Sequence, residues 1–231
     1  MEILSIIPAR GGSKEIPLKN LVPVNGKPLL DYTVTASLKS KLVNRTIVSS
    51  DSQKILKCAK TLGAETMVRP KKLATDSAHI EPLILNILNT LKKNEQYIPD
   101  IIVLLQNTSP LRNEKHIDES IKLFFKKKFD SVLSGFNSHY FLWNKRNDLF
   151  HPINYNLKER PNRQIMRNQF CENGAIYITK YLAFKKTKSR LSGKIGLYEM
   201  PEYLSLQIDS KFDLFLIEQI LKRKGNLYEK N

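Results

Sequence analysis

Short apolar runs without polar alternation recur along the chain, each followed by a stretch whose apolar positions return every three or four residues. Ile3 to Pro8, Thr46 to Ser50, Ile101 to Leu105, Ser131 to Ser134 and Ala175 to Ile178 read as strands buried on both faces. Between them, Leu30 to Ser40, Ser52 to Leu62, Ile80 to Leu91 and Asn113 to Lys126 carry the period of amphipathic helices. In the third, Ile80, Ile84, Ile87, Leu88 and Leu91 share one face. A last helix is expected over Ser210 to Arg223, with Phe212, Phe215, Leu216 and Ile220 facing inward. Strand alternating with helix predicts an α/β fold, a three-layer and mostly parallel sheet.

One segment breaks the rhythm. Gly135 to Phe170 is rich in Asn, Arg and aromatics, among them Tyr140, Phe141 and Trp143, and has no clean period of either kind. A structureless loop of that length is unusual in a compact domain. The expectation is a single domain over residues 1–231 with a small β-rich arm inserted at 136–170 that packs against a second subunit.

Composition narrows the class: 41% hydrophobic and 26% charged residues suffice for a core and exclude a disordered chain. Cys58 and Cys171 lie too far apart in sequence for a CxxC metal knuckle and are too few for a disulfide framework, which favours a reducing compartment. No apolar run reaches the roughly 20 residues of a bilayer span, and Ile3 to Ala9 follows Glu2 rather than a basic leader. A soluble, cytoplasmic protein without a membrane partner is expected. The formal charge of +16 favours anionic partners, although Lys126 to Lys128, Lys185-Lys186 and Lys222 to Lys224 also fit solvated helix ends.

The most chemically informative stretch runs from Ile6 to Asn20, where a buried strand gives way to a polar loop. Ligands of a parallel α/β sheet collect beyond the carboxyl ends of its strands. Gly11 and Gly12 can turn backbone N–H groups toward an anion, and Arg10, Lys14 and Lys19 add three cations. That combination suits a polyphosphate, yet neither GxxxxGK[ST] nor GxGxxG is present.

The same segment resembles the amino-terminal signature of the acylneuraminate cytidylyltransferase family. Further blocks agree in order and approximate spacing: Arg69-Pro70 through Leu73 to Ser77, Leu104 to Arg112, Asn173 to Ile178, and Ile208-Asp209. The resemblance implies a Rossmann-like nucleotidyltransferase fold. It also implies a Mg²⁺-dependent reaction in which the anomeric hydroxyl of a sialic-acid-like 2-keto sugar acid takes CMP from CTP and releases pyrophosphate. By that resemblance Arg10, Lys14, Lys19 and Asp209 are catalytic. The nucleotide falls to Ala9, Arg10, Gly11, Gly12, Ser13, Asn20, Arg69, Ser77 and Ala78, the sugar to Gln106, Arg163 and Tyr177, and the metal to Asp209. Arg163, on the arm, would serve a neighbouring subunit of a homodimer, since a guanidinium pairs well with a carboxylate.

Blander readings stand beside these. Asp76 could cap the helix containing Ile80, Asp209 could cap the last helix, and Tyr177 could be a core aromatic. Two departures from the family are visible: Gln207 stands where an aspartate is usual before Ile208-Asp209, and Asn107 replaces the usual proline. The aromatic pair of the acyl pocket has no match in Thr187 to Gly196, which leaves N-acetylneuraminate, legionaminate and pseudaminate types open. His79, His116, His139 and His151 show no metal-ligand spacing. The partners expected are CTP and the sugar acid, not nucleic acid. An octulosonate-type cytidylyltransferase and a noncatalytic polyanion-binding relative are the alternatives.

Overall fold

The computed structural model describes residues 1–13, 15–166 and 168–223. In chain order its elements are β1 (Ile3–Pro8), β2 (Pro23–Val24), β3 (Lys27–Pro28), α1 (Leu29–Lys39), β4 (Arg45–Ser50), α2 (Gln53–Thr61), β5 (Glu65–Val68), α3 (Ile80–Glu95), β6 (Ile101–Leu104), α4 (Glu114–Lys126), β7 (Ser131–Asn137), β8 (Trp143–Arg146), β9 (Leu149–Pro152), β10 (Phe170–Lys180), α5 (Tyr181–Thr187), β11 (Ile195–Glu199) and α6 (Lys211–Lys222). Seven strands form one sheet in the order β11-β7-β10-β6-β1-β4-β5. All neighbours run parallel except β10, which is antiparallel to both β6 and β7.

Side-chain alternation along β1 divides the core. Ile3 and Ile7 point into a cluster with Val34 of α1, Ile55 of α2, Ile117, Ile121 and Phe124 of α4 and Ile217 of α6. Leu4 and Ile6 point the other way, toward Leu83, Ile84, Ile87, Leu88 and Leu91 of α3 and Phe184 of α5. Helices therefore cover both faces of the sheet, and the strands are apolar throughout because neither face meets water. Each fully buried Ile or Leu contributes about 1.5–3 kcal/mol of transfer free energy.

The chain leaves β1 for β4 and β5 on one side and then returns to place β6 on the other. The order therefore reverses beside β1, and a crevice opens there beyond the carboxyl ends of β1 and β6. Edge strands β5 and β11 are partly exposed, which is why buried apolar runs in the sequence do not mark them.

Helix α6 departs from its expected orientation. Ile217 is buried, with Leu214, Ile220 and Leu221 packed against the core, whereas Phe212 and Phe215 are 66% and 55% exposed. The helix is apolar on nearly all sides, so periodicity alone does not select the inward face.

Within residues 136–170, β8 and β9 form a separate two-stranded hairpin. Its turn residues Asn147 and Asp148 both have positive φ, 47° and 61°, the conformation of a tight hairpin loop matched to strand twist. Phe141 and Trp143 stack edge-on against Tyr155, and Arg160 lies 4.1 Å over the Phe141 ring. Leu149, Phe150, Ile153 and Leu157 stay exposed.

Among the described residues, no helix is long and apolar enough to cross a membrane.

Candidate active site

The crevice is a cleft of about 390 Å³, walled by Pro8, Arg10, Ser13, Lys19 and Asn20 from the loop after β1, by Arg69, Thr75, Asp76, Ala78 and Ile80, by Gln106, Asn107 and Thr108 after β6, and by Gln207 and Asp209 before α6. Three cations and two carboxylates thus face one another across a small volume. Arg10 Nη1 lies 2.5 Å from Asp76 Oδ1, and Lys19 Nζ lies 3.2 Å from Asp209 Oδ1 while donating to the Ile208 carbonyl at 2.8 Å.

The loop is built by backbone and amide contacts. Ala9 is fully buried and its N–H donates to the Ser49 carbonyl at 2.9 Å. Gly11 N–H donates to Asp51 Oδ1 at 2.8 Å, and a Cβ on Gly11 would stand 2.9 Å from Ser52 Cβ, so a side chain there would force the loops after β1 and β4 apart. Asn20 Nδ2 holds the Arg10 carbonyl at 2.9 Å, which fixes the direction of the loop as it leaves the strand. Gly12 is exposed, and Lys14 lies outside the described residues.

Arg69, at the end of β5, is 5% exposed and donates through Nε to the Leu73 carbonyl at 2.6 Å. Burial lowers its pKa, nearby Asp51 acts to raise it and Arg10 to lower it, so the two arginines share one electrostatic environment. Ala78 lines the cleft; Ser77, its neighbour, is exposed and does not. Asp76 is not a helix cap: the N-cap of α3 is His79, without a side-chain cap.

The side-chain amides of Gln106 and Gln207 belong to the same wall of the cleft. Gly174, with φ +68°, lies beneath them, and a Cβ there would come within 2.4 Å of Gln106 Oε1 and 3.2 Å of Gln207 Oε1. Thr108 Oγ1 donates to Gln207 Oε1 at 3.4 Å, and Ile208 N–H donates to the Thr108 carbonyl at 2.8 Å, tying the segment before α6 to the loop after β6.

Arg112 underlies that loop. It is 2% exposed, and its Nη1 donates to the carbonyls of Gln106, Ser109 and Ala175 at 3.3, 3.2 and 3.4 Å, while Nε and Nη2 find no acceptor among the described residues. Burial pushes its pKa down to about 9, which leaves it a cation at neutral pH. Sequence reasoning did not single out Arg112; an arginine directly after the apolar Pro110-Leu111 was the available signal.

Asp209 is 73% exposed at its side chain and takes no part in capping α6. Ser210 does that work, accepting from Asp213 N–H at 3.2 Å while Asp213 accepts from Ser210 N–H at 2.7 Å. The Asp209 carboxylate is therefore directed to the cleft and to Lys19. Among the described residues no group of three or more His, Cys, Asp or Glu could hold a metal by itself. One exposed carboxylate beside a phosphate-sized crevice still fits Mg²⁺, which commonly takes one or two carboxylates and fills its shell with phosphate oxygens and water.

Two of the expected sugar-binding residues lie elsewhere. Tyr177 is 3% exposed in the core under α3, its hydroxyl donating to Glu172 and its ring 4.9 Å beneath Arg190; burial first and the Glu172 bond second raise its pKa. β10 runs antiparallel to β6, and Tyr177 pairs with Leu104, whose side chain belongs to the same buried cluster. Arg163 is exposed in a turn of the arm, outside the cleft of its own chain.

A family model described as Cytidylyltransferase matches residues 4–230. N-acylneuraminate cytidylyltransferase A of Danio rerio is 35% identical over 228 residues, covering 96% of this chain and 51% of its own. N-acylneuraminate cytidylyltransferase of Escherichia coli O18:K1:H7 is 34% identical over 233 residues, covering 97% and 53%. The chain thus spans about half the length of the curated relatives it matches. Among solved structures, CMP:2-keto-3-deoxy-manno-octonic acid synthetase complexed with CTP superposes with a TM-score of 0.70 at 15% identity, covering 97% of this chain and 100% of that one. A 4-diphosphocytidyl-2C-methyl-D-erythritol synthase from Anaerococcus prevotii gives 0.68 at 16% identity, covering 96% and 99%. At such identities these two show the fold alone.

Proposed function

Because the chain belongs to the cytidylyltransferase family, we propose that it transfers CMP from CTP to the anomeric hydroxyl of a sialic-acid-like nine-carbon 2-keto sugar acid. The hydroxyl oxygen attacks the α-phosphorus and its proton is released to solvent, the bond from the α-phosphorus to the oxygen bridging to the β-phosphate breaks, and pyrophosphate leaves. The observation that carries this reading is one cleft at the strand-order reversal, walled by the cations Arg10, Lys19 and Arg69 and by the side-chain amides of Gln106 and Gln207.

In this reading Arg10 and Lys19, with Lys14 from the same loop, stabilise the triphosphate as charge moves onto pyrophosphate. Phosphoryl-type transfer asks chiefly for positioning and charge neutralisation, and both cations are held by the loop before substrate arrives. The loop backbone from Ala9 to Ser13 and Asn20 shape the phosphate and ribose seat, and Arg69 with Ala78 bounds the base, Ser77 standing outside the cleft. Gln106 receives the sugar acid, and Gln207 and Thr108 share that wall. Tyr177 supports that wall from the core rather than by touching the sugar. Mg²⁺, held by Asp209 and phosphate oxygens, would supply further neutralisation of the leaving group.

Arg10 and Lys19 are held by Asp76 and Asp209 at 2.5 and 3.2 Å, so a triphosphate exchanges carboxylate partners for phosphate oxygens rather than meeting unpaired cations. Such an exchange favours ligands of high negative charge, because a weakly charged anion does not displace a carboxylate already in place.

A homodimer completes the proposal. The exposed apolar side chains of the arm, Leu149, Phe150, Ile153 and Leu157 among them, support a subunit contact, and Arg163 on the same arm would meet the acid carboxylate in the neighbouring subunit's cleft.

The test is a pyrophosphate-release assay over the four ribonucleoside triphosphates and a panel of eight- and nine-carbon 2-keto acids, with and without Mg²⁺. Release from CTP with a nine-carbon acid and Mg²⁺ is expected. Release with the octulosonate alone would replace the substrate assignment, and no acid-dependent release would refute the enzymatic one.

A further inference from the structure

The peptide unit joining Arg10 to Gly11 is bonded at both of its polar ends. Its carbonyl accepts from Asn20 Nδ2 at 2.9 Å, and its N–H donates to Asp51 Oδ1 at 2.8 Å. Asp51 follows β4, is exposed and does not line the cleft, to which the loop after β1 contributes Arg10, Ser13, Lys19 and Asn20. The Gly11 N–H is therefore engaged by a carboxylate outside the cleft wall rather than offered to an anion within it.

The loop needs a clamp at this point. Gly11 has to be glycine, because a Cβ would stand 2.9 Å from Ser52 Cβ, while a Cβ on Gly12 would meet open space. Two successive glycines restrict the backbone least, yet they directly follow Arg10, whose Nη1 lies 2.5 Å from Asp76 Oδ1 in the cleft. A peptide is planar, so holding its carbonyl and its N–H sets ψ of Arg10 and φ of Gly11 together. Asp51 is a firm anchor because its neighbours are tied down. The Ser50 carbonyl accepts from Arg69 N–H at 2.8 Å, and Ser50 Oγ accepts from Ser52 N–H at 3.0 Å.

We infer that Asp51 is a positioning residue for the reaction: it touches no substrate, and by holding the Gly11 N–H it keeps Arg10 where the triphosphate meets it. The inference rests on the cytidylyltransferase reading and adds to it a residue from β4. The sign of the effect separates this role from that of a plain charge. A carboxylate near a triphosphate seat repels the ligand, so removing the charge alone would tighten CTP, whereas releasing the clamp weakens it.

The experiment compares wild type with Asp51→Ala, Asp51→Asn and Asp51→Glu by calorimetric titration of CTP and by thermal melts. Asparagine keeps an acceptor oxygen at the same reach without the charge, glutamate keeps the charge and displaces the oxygen by one methylene, and alanine keeps neither. CTP affinity in Asp51→Asn is expected at or above that of wild type, and in Asp51→Ala and Asp51→Glu about tenfold weaker. Tm stays near wild type in all three because the residue is exposed. On a background of Arg10→Ala, Asp51→Ala weakens CTP by no more than about twofold further, since the side chain it positions is gone. The inference is overturned if Asp51→Ala binds CTP as tightly as wild type or more so. It is equally overturned if Asp51→Asn weakens CTP as Asp51→Ala does while Asp51→Glu does not, which would assign the effect to charge. An equal loss with and without the Arg10 side chain also overturns it, as a general loosening of the loop would give. Should Asp51→Ala not fold, the contrast between Asp51→Asn and Asp51→Glu decides alone. Wild-type protein that binds no CTP overturns the cytidylyltransferase reading itself, whereas CTP binding without this pattern overturns only the role of Asp51.

Discussion

Replacing Gly174 by alanine perturbs the cleft through geometry alone. The residue has φ +68°, a region in which an L side chain costs about 1–2 kcal/mol, and any gain from a stiffer unfolded chain does not offset it where φ is positive. For a chain of this size that loss corresponds to a fall of about 2–8 °C in Tm. The new Cβ would also stand 2.4 Å from Gln106 Oε1, 3.2 Å from Gln207 Oε1 and 3.4 Å from Gln207 Cδ. Gln106 must therefore swing aside by about 1 Å, a displacement of the kind that costs on the order of 100-fold in rate when it misplaces a bound reactant. Arg10, Lys19 and Arg69 do not touch Gly174, so CTP affinity should stay within about twofold. Thermal melts, CTP titration and steady-state kinetics on Gly174→Ala separate these effects. A variant that melts early yet turns over the sugar acid with wild-type KM and kcat would refute the placement of the acceptor against the two amides.

Three further outcomes are expected. Lys19→Ala should lower kcat by orders of magnitude with a far-ultraviolet spectrum and Tm close to wild type, since its partner Asp209 is mostly exposed and such pairs contribute little to stability. Asp209→Ala should remove Mg²⁺-dependent turnover without lowering Tm. Ser210→Ala should do the reverse, costing about 1 kcal/mol of stability by deleting the α6 cap while leaving the Mg²⁺ dependence in place; exchange of those two phenotypes would restore Asp209 as the cap. Arg112→Met leaves the carbonyls of Gln106, Ser109 and Ala175 without their shared donor, so denaturant melts should show a loss of about 1–3 kcal/mol and kinetics a raised acceptor KM. A more stable and fully active variant would show that the guanidinium is not what holds the loop.

The sheet was legible in the sequence where strands are buried on both faces. Ile3–Pro8 coincides with its expected range, and β4 and β6 differ from theirs by a residue at one end. Edge strands were not legible: Glu65–Val68 mixes a charged and a hydroxyl residue with apolar ones because most of it meets solvent, and Ile195–Glu199 is likewise exposed at both ends. The hairpin of the arm left only a faint signal, Asn147-Asp148, since Asn and Asp tolerate positive φ but mark many other turns. α6 shows the opposite failure: with apolar positions on nearly every side, Phe212 and Phe215 were taken as inward although both are exposed.

Within the cleft, the loop after β1 could be read from residue types alone, because glycines and cations together imply an anion. Gln207, Thr108 and Asn107 could not be read that way. Their roles come from β6 and the segment before α6 converging on Gly174 and Asn20, contacts between residues roughly a hundred positions apart. Tyr177 illustrates how strand pairing decides a side chain's surroundings: its pairing opposite Leu104 in the antiparallel β10 sets its ring in the apolar layer under α3.

The central claim is that the loop leaving β1 grips the triphosphate of CTP. A crystal structure of the protein with CTP bound tests it directly. Phosphate oxygens are expected against Arg10 and Lys19, with the Arg10–Asp76 and Lys19–Asp209 pairs opened to receive them. CTP seated anywhere other than this cleft, or in the cleft with both pairs intact and its phosphates turned outward, would contradict it.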